Sequence, residues 1–340
     1  VRREYDESDA RVRPNRRGSR PRSKRRPAHE DAVPGTIVGV DRGRLTVHLD
    51  DGAATEIIAV KARELGRRGL VVGDRVALVG DVSGADGSLA RIVRREERAT
   101  ELRRTADDAD PTERVVVANA QQLGIVTALA DPEPNPRMID RCLVAAFDAG
   151  MDALLILTKA DLASADALAA AYAPLGVEVV TTTMRRDGDE RTIEGLDDVR
   201  DRLVGRTTVL VGYSGVGKST LVNALVPDAG RATGVVNDVT GRGRHTSTSA
   251  VALELPGGGR IIDTPGVRTF GLAHVNPDHF IAAFPDVAEA AAERCPRGCT
   301  HESAEAGCEL DAWATGDADR EARVDSIRRL LTSRAQAESY

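Results

Sequence analysis

At 340 residues, 41% of them hydrophobic, the chain has room for two or three cores, and it holds no apolar run of the roughly 18 residues that a membrane-spanning helix needs. Aromatic residues amount to only 3%, so a nucleic-acid partner would have to be held by charge and backbone rather than by stacking. The net charge of −6 hides a division: residues 11–27 carry nine Lys or Arg and no acid, which leaves the remainder acidic.

Residues 1–33 are rich in Arg, Pro and Ser, the composition of a disordered basic arm. Its cations suit phosphate, and a solvated solubility tail is the other reading. Without an apolar leader in this arm, a cytoplasmic protein with no membrane contact is expected, as a monomer. From Gly35 the pattern changes to short alternating runs at Thr36–Val40, Leu45–Leu49, Glu56–Val60, Arg75–Val79 and Leu89–Val93. Gly and Asp turns separate them. Five short strands over 34–97 predict an all-β barrel of the OB type, although an SH3-like barrel fits the same pattern.

Residues 98–112 are charged and read as a linker. Beyond them, apolar runs at Arg114–Ala118, Gly124–Ala128, Ala153–Leu157, Val177–Thr181 and Thr207–Val211 alternate with helical patterns at Met138–Asp148, near 164–173, at 196–204 and at Lys218–Val226. Such alternation over 98–275 predicts an α/β domain, a mostly parallel sheet covered on both faces. Ala250–Leu255 and Arg260–Ile262 should pair across the turn from Pro256 to Gly259. Residues 276–340 read as a helical domain, interrupted by a cysteine cluster and closed by a helix around 319–335.

Three motifs carry the chemistry. Gly212, Tyr213, Ser214, Gly215, Val216, Gly217, Lys218 and Ser219 fit the phosphate-binding pattern G-x-x-x-x-G-K-[ST], with Thr220 next in line. Its glycines let backbone N–H groups approach phosphates without a Cβ in the way, and the following helix directs its positive end at the same anion. Lys218 would bridge the β- and γ-phosphates, and Ser219 would place its hydroxyl on Mg²⁺. Asp263, Thr264, Pro265 and Gly266 form a D-x-x-G, in which Asp263 would hold a metal-bound water and the Gly266 N–H would meet the γ-phosphate. Thr158, Lys159, Ala160 and Asp161 form a guanine signature [NT]-K-x-D. The Asp161 carboxylate can accept from guanine N1–H and N2–H₂, an edge that adenine lacks, which disfavours an ATP-dependent enzyme. Lys159 would lie over the base plane, and the Thr158 hydroxyl can tie neighbouring loops.

The order of these motifs is guanine, phosphate, magnesium. An ordinary small GTPase ends on the guanine motif, so this order predicts a circularly permuted GTPase binding GTP/GDP with Mg²⁺. A fifth motif is not distinct: Thr181, Thr182 and Thr183 stand where it belongs, or form a polar strand end. In the segment Gly241–Thr248, Thr246 is the candidate to close on Mg²⁺ and γ-phosphate, against a solvated basic loop. Val267 occupies the place where many GTPases keep a water-orienting Gln. His245 is the candidate for that task, against a solvated loop histidine, or else a partner completes the site. Two classes follow: a GTP-hydrolysing switch enzyme, and a GTP-gated RNA-binding module in which hydrolysis is incidental.

Cys295, Cys299, His301 and Cys308 offer three thiols and an imidazole within 14 residues. That is the donor set of a closed tetrahedral Zn²⁺ site, structural because no ligand position stays open. Cys142 lies in an apolar helical pattern and reads as core.

Together these parts resemble the ribosome small subunit-dependent GTPase A family. The likeness spans about 34–335, and its specific pieces are Val71–Val76, Gly212–Asn223, Gly243–Thr246, Asp263–Gly266 and Cys299–Glu302. The resemblance implies an OB barrel, a circularly permuted GTPase and a C-terminal zinc domain. It also implies the small ribosomal subunit and its rRNA as partners, a role late in subunit maturation, and GTP hydrolysis that the subunit stimulates and that drives release. His245 matches the family's proposed catalytic histidine. The chain departs from the family in the spacing of its cysteines, in Thr158 where Asn is usual, and in the length of its basic arm.

Overall fold

A computed structural model describes residues 29–41, 43–50, 56–66, 69–107, 110–188, 190–227, 250–264, 270, 277–304 and 307–337. Residues 1–28 of the basic arm, His245, Thr246, Pro265, Gly266 and Val267 lie outside them.

The alternating runs fold as β1 (Val33–Asp41), β2 (Arg44–Leu49), β3 (Glu56–Lys61), β4 (Arg75–Gly80) and β5 (Ala90–Arg95). Their inward residues, among them Ile37, Val47, Ile57, Leu78 and Ile92, are fully buried in a core of their own. The strands close in the order β1-β2-β3-β5-β4 and back to β1, antiparallel except for β3 against β5. This is an OB-type barrel, and each strand falls within three residues of its sequence-based bounds.

The expected linker at 98–112 is instead a β-hairpin. β6 (Glu101–Asp107) pairs antiparallel with β7 (Asp110–Ala118) in a two-stranded sheet of its own. The charges that suggested a solvated linker lie beside inward residues: Leu102 and Val117 are 1% and 0% exposed and join the main core. Residues 114–118 therefore pair with β6 and not with the parallel sheet.

That sheet consists of β8 (Gln122–Ala128), β9 (Asp152–Thr158), β10 (Glu178–Thr181), β13 (Thr207–Val211) and β15 (Arg260–Asp263), in the order β10-β9-β8-β13-β15, all parallel. Burial on both faces explains why β8 is an uninterrupted buried run. Leu123 and Ile125 face α1 (Pro136–Asp148) and the C-terminal helices, whereas Val126 and Ala128 face α3 (Leu196–Leu203) and α4 (Lys218–Leu225). The start of α1 is set by Pro136 and by Asn135, whose side chain accepts from Met138 N at 3.2 Å. α2 (Asp166–Tyr172) follows β9, and a hairpin of β11 (Thr183–Asp187) and β12 (Glu190–Glu194), unforeseen from sequence, follows β10.

β14 (Val251–Glu254) pairs antiparallel with β15 and, on its other side, with barrel strand β1 at Gly39↔Val251. Barrel and parallel sheet are thereby one eleven-stranded sheet. A second joint uses the Val71–Val76 turn. Gly73 has φ +89, and a Cβ there would meet the Ala118 carbonyl oxygen at 1.9 Å. Ala118 N donates to Val72 O at 3.0 Å, and Asn119 Nδ2 donates to Gly73 O at 2.8 Å. Beside it Asp74, 0% exposed, accepts from Val71 N at 2.8 Å and from Arg98 Nε and Nη2 at 2.6 and 2.9 Å.

The C-terminal region comprises α5 (Pro277–Ala282), α6 (Pro285–Arg294), α7 (Leu310–Ala314) and α8 (Ala318–Ala337). Phe147 of α1 meets Phe280 and Phe284 with ring centroids 6.1 and 5.1 Å away, which packs this region onto the sheet. Among the described residues no helix is long and apolar enough to cross a membrane.

Candidate nucleotide site and metal centre

The motif loops converge at the C-terminal ends of the parallel strands, where open α/β sheets bind ligands. β13 leads into the phosphate loop. At Gly212 a Cβ would meet Val126 O at 2.4 Å, so only glycine fits. Gly215 and Gly217 have φ of +84 and +94, and Gly217 caps α4, which starts at Lys218. Ser214, Gly215, Ser219 and Thr220 are exposed around the loop, while Val216 is buried at 1% and Tyr213 packs half-buried between the two cores. Lys218 Nζ donates to Asp263 Oδ1 at the end of β15. The two opposite charges thus satisfy each other. Thr264 Oγ1 donates to Leu210 O at 3.2 Å and holds the start of the D-x-x-G against β13.

Thr158 closes β9, 7% exposed, and its hydroxyl donates to Val216 O at 2.6 Å. A side chain shorter than Asn thus joins the T-K-x-D loop to the G-x-x-x-x-G-K-S loop. Lys159 has φ +56, and its Nζ donates to the Asp131 carbonyl. Asp161 stands exposed two residues further on. Ala160 N donates to Thr182 O at 3.1 Å and Thr182 N to Leu157 O at 2.7 Å, so buried Thr182 braces this loop from β10.

Sequence reasoning missed Asp131 and Pro132. They lie in the turn after β8, and Pro132 Cδ is 3.9 Å from the Cβ position of Gly215. Their one signal was their place at the C-terminal end of a parallel strand.

The cysteine cluster assembles where α6 ends. Cys295 is the C-cap of α6, Cys299 follows a turn closed by Cys299 N to Pro296 O at 3.1 Å, and Cys308 precedes α7. His301, with φ +58, is buried like Cys308. The four donor atoms lie within 4.8 Å of one another. Cys295 Sγ is 3.9 Å from Cys308 Sγ, which is 3.7 Å from His301 Nδ1. Zn–S bonds of about 2.3 Å in a tetrahedron place the ligand atoms about 3.8 Å apart, so the donor set fits Zn²⁺. Burial, with the neighbouring thiols adding to it, pushes Cys295 up to about 11. Metal capture at this cluster must therefore expel protons. Arg328 of α8 grips Asp311 through both carboxylate oxygens at 2.5 and 2.7 Å and reaches His301 O at 3.4 Å, so the cluster is tied to the last helix. Protein prepared without added zinc is expected to carry close to one equivalent. Cys308→Ala should lose it while still binding GTP. Metal analysis alongside nucleotide titration checks both, and full zinc retention in the variant would point to other ligands.

A G-x-x-x-x-G-K-S loop between β13 and α4, with T-K-x-D ahead of it in the chain and the start of a D-x-x-G behind it, is the motif order of a circularly permuted P-loop GTPase. The RsgA GTPase family model matches residues 95–273, and the chain belongs to that family. It is 38% identical over 270 residues to the small ribosomal subunit biogenesis GTPase RsgA of Ectopseudomonas mendocina, covering 78% of this chain and 75% of the relative. It is 38% identical over 252 residues to the protein of the same name from Gemmatimonas aurantiaca, covering 73% and 79%. Among solved structures, YloQ, described as a circularly permuted GTPase, matches with a TM-score of 0.62 at 22% identity, covering 92% of this chain and 98% of its own. YjeQ from Thermotoga maritima matches with 0.57 at 22%, covering 88% and 99%. At that identity the likeness concerns the fold.

Proposed function

We propose that this GTPase acts on the small ribosomal subunit in the cytoplasm, late in its maturation, as a monomer, and that the subunit raises its hydrolysis rate and hydrolysis drives release. The observation that carries the reading is the meeting of three motif loops at one end of a sheet whose other edge is an OB-type barrel. The names of the family relatives supply the subunit as the place of action.

In this reading the Lys218 ammonium leaves Asp263 for the β- and γ-phosphate oxygens, while N–H groups of Gly215 to Ser219 surround the same anion. Ser219 and Asp263 would hold Mg²⁺, which when bound neutralises charge developing on the phosphates. Gly266 N–H and Thr246 would close on the γ-phosphate, and His245 would orient water where Val267 cannot. The proposed parts of the chain are the basic arm at 1–33, the barrel at 34–97, the GTPase at 98–275 and the zinc-binding region at 276–340. The barrel and the arm's cations are the RNA-facing elements, and the Zn²⁺ site holds the C-terminal region together.

Turnover measured with small subunits, large subunits and buffer tests the proposal. Only small subunits should raise the rate, and His245→Ala should cut the raised rate while leaving GTP affinity nearly intact. Equal rates in all three conditions would sink the proposal. Tight GTP-dependent subunit binding without stimulation would favour the binding-module reading.

Base choice has its own test. Asp161→Asn removes the acceptor for the guanine N1–H and N2–H₂ pair. Losing hydrogen bonds to a charged group costs about 1.5–3 kcal/mol, or roughly 10- to 150-fold in affinity. GTP binding should weaken by that factor and xanthosine triphosphate binding should improve. Wild-type protein that binds ATP as tightly as GTP would contradict the assignment.

A further inference from the structure

The barrel touches the nucleotide-binding sheet at the strand that lies between the two phosphate-reading segments. β14 is preceded in the chain by Gly241–Thr248 and followed, through β15, by Asp263. Val251 of β14 is in register with Gly39 of β1 on one side and with Asp263 of β15 on the other. Asp263 is in turn opposite Leu210, two residues before the phosphate loop begins. One row of backbone therefore runs Gly39–Val251–Asp263–Leu210. Two strand spacings of about 4.8 Å separate the barrel from the magnesium-type aspartate. The register of β1 against β2 slips between Ile37 and Gly39, an irregularity of the kind that bends a strand and re-aims its edge.

The other end of β14 has a side-chain contact with the barrel. His48 Nδ1 of β2 lies 3.2 Å from Glu254 Oε1, and that oxygen also accepts from Arg260 Nη2 at 3.2 Å. The second ring nitrogen of His48 is 3.7 Å from Glu56. Partial burial pushes the Glu254 carboxyl up, but hydrogen bonds from His48 and Arg260 outweigh it and hold it below its ordinary value.

The two attachments of the barrel differ in strength. At the Gly73 turn, backbone contacts and the Asp74–Arg98 pair are buried, with side chains 0% and 7% exposed. At β14, a single register pair among the described residues is joined by one hydrogen-bond contact, between a His48 ring 15% exposed and a Glu254 carboxylate 53% exposed. Water reaches the carboxylate and can replace the ring as its partner, so this contact can break and reform without unfolding either body. A buried pivot with a soft second contact permits a small rotation.

We infer that the β14–β15 hairpin transmits nucleotide state to the barrel, with His48 and Glu254 as the latch that makes the barrel follow it. The inference rests on the reading of the chain as a GTPase that grips the small subunit through its barrel, and it adds how that grip is regulated. A shift of Asp263 when a phosphate-bound cation engages its carboxylate would carry across the register pair to Val251 and so along β14. The latch passes the shift to β2, and the barrel turns about the Gly73 joint. By reciprocity, a barrel fixed on RNA would favour one nucleotide over the other.

The test uses the full chain and two readouts. Hydrogen exchange over residues 36–48, in free protein with GDP or a non-hydrolysable GTP analogue, should differ between the two states in wild type. His48→Ala and Glu254→Ala, on opposite sides of the latch, should erase that difference while the affinity for each nucleotide stays within about twofold, well under the usual 5- to 150-fold range of allosteric coupling. Glu254→Gln keeps an acceptor and should retain part of the difference. The second readout is binding to small subunits, where the ratio of affinities between the two nucleotide states should fall toward one in both alanine variants. Identical exchange in both states of wild type, or a difference that survives in both alanine variants, would overturn the inference. An exchange difference that the variants abolish, in a protein with no affinity for small subunits in either state, would uphold the latch and defeat the functional proposal instead.

Discussion

Asp74→Ala is expected to destabilise the protein by about 3–5 kcal/mol, the usual cost of stranding one member of a buried ion pair. Asp74 is 0% exposed and the Arg98 side chain 7%, so the guanidinium that stays behind keeps only Glu101 Oε1 at 3.0 Å and Gly69 O at 3.2 Å and leaves its Nε without an acceptor. The carboxylate also accepts from Val71 N, so the turn that docks on Ala118 loosens with it. In a thermal melt of a 340-residue chain this corresponds to a fall of about 4–7 °C. Glu194→Ala provides the contrast, because the Arg185–Glu194 pair is more than 60% exposed on both sides and should move the melt by almost nothing. An Asp74→Ala melt within a degree or two of wild type would show that the joint carries no weight.

Lys218→Ala should lower kcat/KM for GTP by about 10²- to 10³-fold, the scale on which a single preorganised positive donor acts on developing phosphate charge. Its effect on stability should be small. The Lys218–Asp263 pair is partly open to solvent, at 15% and 28% exposure, so water can serve the carboxylate left behind. Steady-state turnover together with a melt separates the two effects. A variant that keeps wild-type turnover would remove Lys218 from the phosphate site.

The sequence made some features plain and concealed others, for a common physical reason. Strand alternation at Thr36–Val40 or Leu45–Leu49 is a local pattern, and the barrel strands stand where that pattern placed them. The phosphate loop is equally local, since its glycines answer to backbone geometry within one turn. What failed to show was pairing between distant segments. Arg98 and Glu101 look like a solvated linker, because nothing nearby reveals that Asp74 waits for the arginine or that Leu102 and Val117 enter the main core. β14 reads as half of a hairpin, and only the fold shows that its free edge is taken by β1. At the site, the Thr158 hydroxyl could be foreseen as a tie but its partner, the Val216 carbonyl, could not. The brace from Thr182 and the contacts of Asp131 with Lys159 and of Pro132 with Gly215 depend on loops brought together by strand order alone.

Gly73 and Val72 bear on how this chain can be taken apart. Val72 is a residue of the barrel's own turn, yet its side chain is buried with Leu102 and Val117 in the core of the neighbouring body. A cut between residues 97 and 98 would leave one fragment with a bare valine and a carboxylate missing its guanidinium, and the other with an uncovered hole beside Ala118. Neither piece is a finished module. An OB barrel borrowed from another protein would have to bring a glycine able to lie against that carbonyl and an apolar residue cut to the same recess. Exchange of barrels between lineages would therefore require both sides of the seam to change together, and engineered fusions should move the barrel and the β6–β7 hairpin as one cassette.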